Sequence, residues 1–188
     1  MNEKPIAAGK SSFDLIDSKK LFSELQLKKG SVLLDLACGR GLYSIAASEY
    51  IGEQGKIYAV DLWQEGIDFL IQETTAGQIA NIHASVADIN KHIPFADHSI
   101  DVCLMATVLH DLIEDHAEKG TLKEVKRVLK PEGLLAVIEF IKTQGPPGPP
   151  VQIRISPDEL ENFLSGYGFR LVKTTEVGQF NYLSVFRN

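Results

Sequence analysis

The sequence predicts an α/β fold, an open doubly wound sheet with helices on both faces. Three observations carry this. Short apolar runs at 32–36, 56–61, 100–106 and 134–141 alternate with stretches at helical spacing, the pattern of parallel strands buried on both sides. The first run passes through Ala37-Cys38-Gly39-Arg40-Gly41 into a helical segment, so strand, glycine turn and helix follow one another. Acids stand at or just past the ends of the first three strands, at Asp35, Asp61 and Asp88.

Size and composition narrow the class. The 188 residues, 44% of them hydrophobic, suit one domain spanning 1–188 with a substantial core. A net charge of −6, with no basic cluster beyond Lys28-Lys29 and Lys126-Arg127, argues against a nucleic-acid partner. Cys38 and Cys103 are the two cysteines and form no C-x-x-C, which speaks against a disulfide scaffold or a zinc site. Both sit among apolar or small residues and read as buried thiols. Glu3, Lys4 and Asp14 interrupt the amino-terminal stretch, which has no long apolar core, so no signal peptide is expected. The most apolar window, 133–141, is too short to span a bilayer and contains Glu139. A soluble, cytoplasmic protein is the expectation.

The elements follow in order. Phe13, Leu15, Ile16, Leu21, Phe22 and Leu25 predict one or two short amphipathic helices over 11–25, making 1–30 a helical cover for one end of the sheet. After the strand at 32–36 a helix is expected over 42–50, then a strand over 56–61. A second helix over 62–75 ends at Gly77, and a short third strand covers 81–86. The strand at 100–106 leads through Thr107 to Leu112 into one helix over 114–129. Lys130-Pro131-Glu132-Gly133 marks its stop before a strand at 134–141. Residues 142–155 form a Pro/Gly-rich loop, readable as a linker or as a lid and substrate wall with Arg154 as a fixed positive charge. Ser156-Pro157-Asp158-Glu159 opens the last helix with a cap, a first-turn proline and acids. Runs at 170–176 and 180–187 predict an antiparallel hairpin at the sheet edge.

The residues of the glycine turn point to a particular cofactor chemistry. Asp35 would repel a dinucleotide pyrophosphate, and Ser44 stands where the dinucleotide pattern has its third glycine. A carboxylate there suits a cationic, amino-acid-bearing nucleotide, S-adenosylmethionine, better than NAD. Asp61 is placed either to accept both ribose hydroxyls or to cap the next helix. Asp88 is either an acceptor for an adenine amino group, with the Ile89 N–H on a ring nitrogen, or an ordinary turn residue.

From about Ser31 onward the chain resembles class I S-adenosylmethionine-dependent methyltransferases. VLLDLACGRG, KIYAVD, ASVADI, PFADHSIDVCLMATVLHDL, EVKRVLKPEGLLAVIEF and the closing hairpin carry the resemblance in order. Within them it is similar to the ubiquinone/menaquinone-biosynthesis-like small-molecule group, through ACG in the turn and the D-x-x-x-x-x-x-x-L-H spacing from Asp101 to His110. The resemblance implies a Rossmann-like, three-layer fold with a seven-stranded sheet in the order 3-2-1-4-5-7-6 and an antiparallel last strand. It implies that Asp35, Ala37, Gly39 and Gly41 hold the methionine part and that Asp61 and Leu62 meet the ribose and adenine edge. Asp88 and Ile89 would bind adenine, and Ala106 and Thr107 would line the sulfonium side, with S-adenosylhomocysteine as product. Arg40 departs from the Thr or Ser common at its position, and its side chain is expected to point to solvent.

Methyl transfer needs alignment and exclusion of water, and a base only when the acceptor must lose a proton. His110 is the candidate base by location, its alternative being a capping or packing histidine. Asp111 is a candidate to orient it, although sequence neighbours rarely point together; Tyr43, Glu139 and Arg154 are candidate substrate walls. No metal is expected: Asp111, Glu114, Asp115 and His116 fit a helix start, where acids meet the dipole. Lacking an added recognition domain, a basic face and an N/D-P-P-Y/F motif, the chain suits a small-molecule acceptor, with carbon, oxygen and nitrogen all open, as is the oligomeric state. The other readings are a non-catalytic S-adenosylmethionine-binding module and, disfavoured by Asp35 and Ser44, an NAD-dependent oxidoreductase.

Overall fold

The computed structural model describes residues 9–188; Glu3 and Lys4, used above in reading the amino-terminal stretch, lie outside the described residues. Seven strands form one sheet: β1 (Val32–Leu36), β2 (Lys56–Asp61), β3 (Ile82–Val86), β4 (Ile100–Ala106), β5 (Leu129–Phe140), β6 (Arg170–Glu176) and β7 (Asn181–Arg187). Their order is β3-β2-β1-β4-β5-β7-β6, as the resemblance implies. β1 to β5 pair in parallel, and β7 runs antiparallel to both β5 and β6. The expected edge hairpin is therefore present, but its second strand lies inside the sheet.

Side chains alternate across the pleat, so adjacent apolar residues serve opposite cores. Leu33, Ile57, Leu104, Ala136 and Ile138 face a layer built from α1 (Ser18–Glu24), α2 (Leu42–Ile51) and α3 (Gln64–Ala76). Leu34, Leu36, Met105, Val137 and Phe186 face the other layer, with α4 (Leu109–Glu114), α5 (Glu118–Val128) and α6 (Pro157–Ser165). Two packed faces are why these strands read as unbroken apolar runs. The order reverses between β2-β1 and β4-β5, which opens a crevice beyond the carboxyl ends of β1 and β4.

Two stretches differ from expectation. The helix expected over 114–129 is shorter, α5 alone, and an unexpected helix, α4, precedes it; 115–117 separate the two where His116 takes a φ of 56°. His110 thus lies in the first turn of α4, not in a connecting loop. Asp111 is in that turn too, but Glu114 and Asp115 fall at the carboxyl end, where a helix dipole disfavours acids. β5 also begins earlier, at Leu129, which pairs with Ile100; the ladder then shifts register before Val102 pairs with Leu134. Lys130-Pro131-Glu132-Gly133 does stop the helix, but the chain has already entered the sheet, and Glu132 turns it with a φ of 65°.

Elsewhere local chemistry acts as read. Ser156 and Glu159 close a reciprocal capping box on α6, with Pro157 at its start. A 3-10 turn at Phe13–Leu15 and α1 lie against α2 and the β6–β7 turn: the Asp17 N–H donates to the Val177 carbonyl, and Leu21, Phe22 and Leu25 are buried. Arg40 remains exposed, its guanidinium lying over the Phe69 ring at 3.6 Å.

Candidate active site

The turn after β1 is held by backbone that few residues adopt. Ala37, Gly39 and Gly41 have φ of 58°, 56° and 72°. Gly41 begins α2 with no room for a side chain: a Cβ would stand 2.5 Å from the buried Leu70. At Gly39 a Cβ would meet nothing within 4 Å, so the backbone here borders open space. At the end of β4, Thr107 also has a positive φ, 54°, uncommon for a β-branched residue and fixed by its N–H donating to the Ile138 carbonyl.

Two carboxylates flank this turn. Asp35 is buried beneath it and accepts from the Ser44 hydroxyl at 2.6 Å. Burial pushes its pKa up to about 6; the Ser44 bond opposes this, and the charge of Asp61 adds to it. Asp61 accepts from the Gly39 N–H at 2.7 Å through one oxygen and from the Trp63 N–H at 2.8 Å through the other. It therefore ties the glycine turn to the start of α3. The role of Ser44 was missed in the sequence, where it registered only as an absent glycine.

A cavity of about 40 Å³ brings together Asp35, Ala37, Gly39, Tyr43, Ala106 and Thr107. Gly9 to Ser12 close it from outside, and the Ser12 hydroxyl meets the Tyr43 hydroxyl at 2.8 Å and the Thr107 hydroxyl at 3.2 Å. Leu62, Asp88 and Ile89 lie outside this cavity, along the ends of β2 and β3. The Ala87 N–H donates to the Asp61 carbonyl, which continues that ladder and brings Asp88 alongside. Leu62 is half exposed; Asp88 accepts from the Asn90 N–H at 3.1 Å and pairs with Lys91 at 2.9 Å, as a turn residue does. Burial raises the pKa of both cysteine thiols, Cys38 in the turn and Cys103 in mid-strand, which keeps them protonated.

On the other face of the sheet His110 meets Glu139. The ring Nδ1 lies 2.7 Å from Glu139 Oε2, and the His110 N–H donates to Oε1 at 3.3 Å. Both residues are buried. Burial draws the histidine pKa down, but the hydrogen bond and charge of Glu139, joined by Asp111, outweigh it, and the net shift is upward. Asp111 Oδ1 stands 3.6 Å from Nε2, too far for a hydrogen bond. Glu139, which the sequence marked only as a wall, is the histidine's partner; the signal for it was one acid inside the otherwise apolar run 134–141.

His110 also lines a second cavity, of about 240 Å³, walled by α4, α6 and the Pro/Gly loop. Arg154 borders it, but its donors go to the carbonyls of Pro149, Ile141, Gly145 and Pro147, so the side chain clamps the loop it belongs to.

Known proteins share this architecture. A solved S-adenosylmethionine-dependent methyltransferase from Aquifex aeolicus superposes with a TM-score of 0.85 at 30% identity, covering 98% of this chain and 94% of that one. A demethylmenaquinone methyltransferase from Lactobacillus johnsonii is 31% identical over 129 residues, 68% of this chain and 51% of that protein. A ubiquinone/menaquinone biosynthesis C-methyltransferase from Haemophilus ducreyi is 33% identical over 120 residues, 62% of this chain and 44% of that one. The chain thus spans about half the length of these curated relatives. A family model described as a methyltransferase domain matches residues 27–163, most of the chain, and the chain belongs to that methyltransferase family.

Proposed function

We propose that this chain binds S-adenosylmethionine in the crevice at the ends of β1, β2 and β4 and transfers its methyl group to a small-molecule acceptor. The observation that carries this is the pair of carboxylates, Asp35 and Asp61, on either side of an open glycine turn. Such a set suits an ammonium and a ribose diol and repels a pyrophosphate. Asp35, Ala37, Gly39 and Gly41 hold the methionine part, and Ala106 and Thr107 line the sulfonium side. Asp61 and Leu62 take the ribose and adenine edge, and Asp88 and Ile89 the adenine. The present partners of Asp61 and Asp88 are backbone N–H groups and an exposed lysine, which leave acceptor capacity on both carboxylates.

When bound, the cofactor supplies a methyl carbon already activated by its sulfonium; the protein supplies alignment and exclusion of water. His110 stands as proton acceptor, with Tyr43 walling the cofactor side; Glu139 reaches the acceptor side only through His110, and Arg154 borders that side while clamping its own loop. The names of the curated relatives support a small acceptor. We read residues 1–188 as one methyltransferase domain acting in the cytoplasm. Two free thiols accord with that place, and among the described residues no helix is long and apolar enough to cross a membrane.

Titration calorimetry with S-adenosylmethionine and S-adenosylhomocysteine, on wild type and Asp61→Ala, tests the reading. Binding in the micromolar range that collapses in the variant is expected. A folded wild type silent to both ligands, yet binding NAD, overturns it.

A further inference from the structure

The second cavity and the buried His110–Glu139 hydrogen-bonded pair beside it carry an inference that rests on the methyl-transfer reading and deepens it. Glu139 is the lone acid of the apolar run 134–141 and is 1% exposed, a costly place for a carboxylate without partners. Its two oxygens both meet His110, one at Nδ1 and one at the backbone N–H, so the histidine is fixed in ring and main chain by the same group. With Nδ1 held by a carboxylate, Nε2 is the nitrogen left to exchange a proton. Ile113, Ile155 and Phe163 give the cavity that His110 lines its apolar wall, and the Lys142–Glu159 ion pair adds charge at its border.

We propose that Glu139 is a positioning residue that fixes the His110 ring with Nε2 as proton acceptor, and that the second cavity seats an acceptor whose nucleophile is freed by proton loss, a hydroxyl or enol and not an amine. An arylamine nitrogen is neutral near pH 8 and attacks with its own lone pair, so it needs no base in that step, whereas a hydroxyl becomes a good nucleophile only by losing its proton. As the acceptor oxygen bonds to the methyl carbon, the carbon–sulfur bond breaks with its electron pair staying on sulfur. The hydroxyl proton passes to Nε2, and the imidazolium so formed later releases it to water. The charged groups facing the ring agree with a base that is strong for a histidine. Glu139 on β5 and Asp111 on α4 favour the protonated ring, and Arg154 from the loop opposes them.

The test uses the full chain with ¹⁵N-labelled histidine and saturating S-adenosylhomocysteine, with His110→Gln to assign the His110 signals among the five histidines. Neutral His110 is expected to carry its proton on Nδ1 and to titrate above the ordinary histidine value of about 6.5. Glu139→Gln is expected to move that titration down; Glu139→Asp, which keeps the charge but withdraws it from Nδ1, is expected to move it the same way by less and carries the test if the glutamine variant does not fold. With 2-naphthol as probe and labelled S-adenosylmethionine as donor, the acidic limb of kcat/KM follows the His110 titration. At pH 8 the glutamine variant slows transfer on the order of 10²-fold. An Nε2-protonated ring, or a titration unmoved by Glu139→Gln, overturns the positioning role. Transfer to 2-naphthylamine and not 2-naphthol, or to neither by protein that binds S-adenosylhomocysteine, overturns the acceptor class. Absence of S-adenosylhomocysteine binding strikes instead the cofactor reading beneath the proposal.

Discussion

The Ser44 hydroxyl, in the first turn of α2, donates to the buried carboxylate of Asp35 near the end of β1 across 2.6 Å. This bond lies under the glycine turn, and it partly offsets the cost of an anion sealed from water.

Asp35 makes stability fall with rising pH. Its pKa is 3.8 in ordinary surroundings and about 6 in the fold, so between those values the folded state holds more proton than the unfolded one. The associated stability is complete below the lower value and lost as pH rises through the upper one, a difference of about 3 kcal/mol. Asp35→Asn, which still accepts from Ser44, is expected to be more stable than wild type at pH 8 and to lose that advantage at pH 4. Urea unfolding at both pH values checks this; equal destabilisation at the two would contradict it.

Removing the donor acts the other way. Ser44→Ala leaves a buried anion short of a hydrogen bond at pH 8, at a cost of about 1.5–3 kcal/mol. Below pH 5, with Asp35 protonated, the cost drops to about 1 kcal/mol, that of a neutral bond. The same two unfolding curves read the difference, and a pH-independent loss would mean that the bond is not charge-assisted.

Two glycines of one turn separate stability from binding. Gly41→Ala meets both a positive φ and Leu70 and is expected to destabilise by about 1–3 kcal/mol. Gly39→Ala meets open space and is charged only for its backbone, about 1 kcal/mol. Its new methyl group, however, enters the space of the proposed cofactor, so S-adenosylhomocysteine affinity should fall far more than stability does. Calorimetry beside thermal unfolding gives both numbers. A Gly39→Ala chain that binds as wild type would place the ligand elsewhere.

Arg154 is expected to matter for loop order more than for contact with an acceptor. Four carbonyls of the Pro/Gly loop and its approach converge on this buried guanidinium. Arg154→Met should therefore expose 143–150 to limited proteolysis and cost about 2–4 kcal/mol, with the rest of the sheet unaffected. A loop as resistant as wild type would show that its prolines alone hold it.

Much of this was legible in the sequence, and what was not has a common cause. β1, β2 and β4 stand at their expected bounds because each is a buried run closed by a local breaker. Asp35 and Asp61 flank the turn as their positions beside it predicted. The Glu139–His110 and Ser44–Asp35 pairs were not legible, since each joins two elements whose meeting depends on strand order. The start of β5 at Leu129 was missed for a similar reason: Lys130-Pro131-Glu132-Gly133 carries every local sign of a turn, and only the pairing of Leu129 with Ile100 makes it strand. α4 escaped because six residues with mixed polarity give too short a period to read.

The place of β7 has a consequence for how the chain can be made and cut. It lies between β5 and β6, almost wholly buried, although it follows β6 in the chain. A nascent chain that has emerged only as far as Glu176 has a β6 with no strand to pair with, and an exposed flank on β5. The sheet is completed only when β7 enters between β5 and β6, as a keystone completes an arch. Clipping 181–187 therefore does not trim an edge: it splits the sheet, strands β6, and uncovers the strand that carries Glu139.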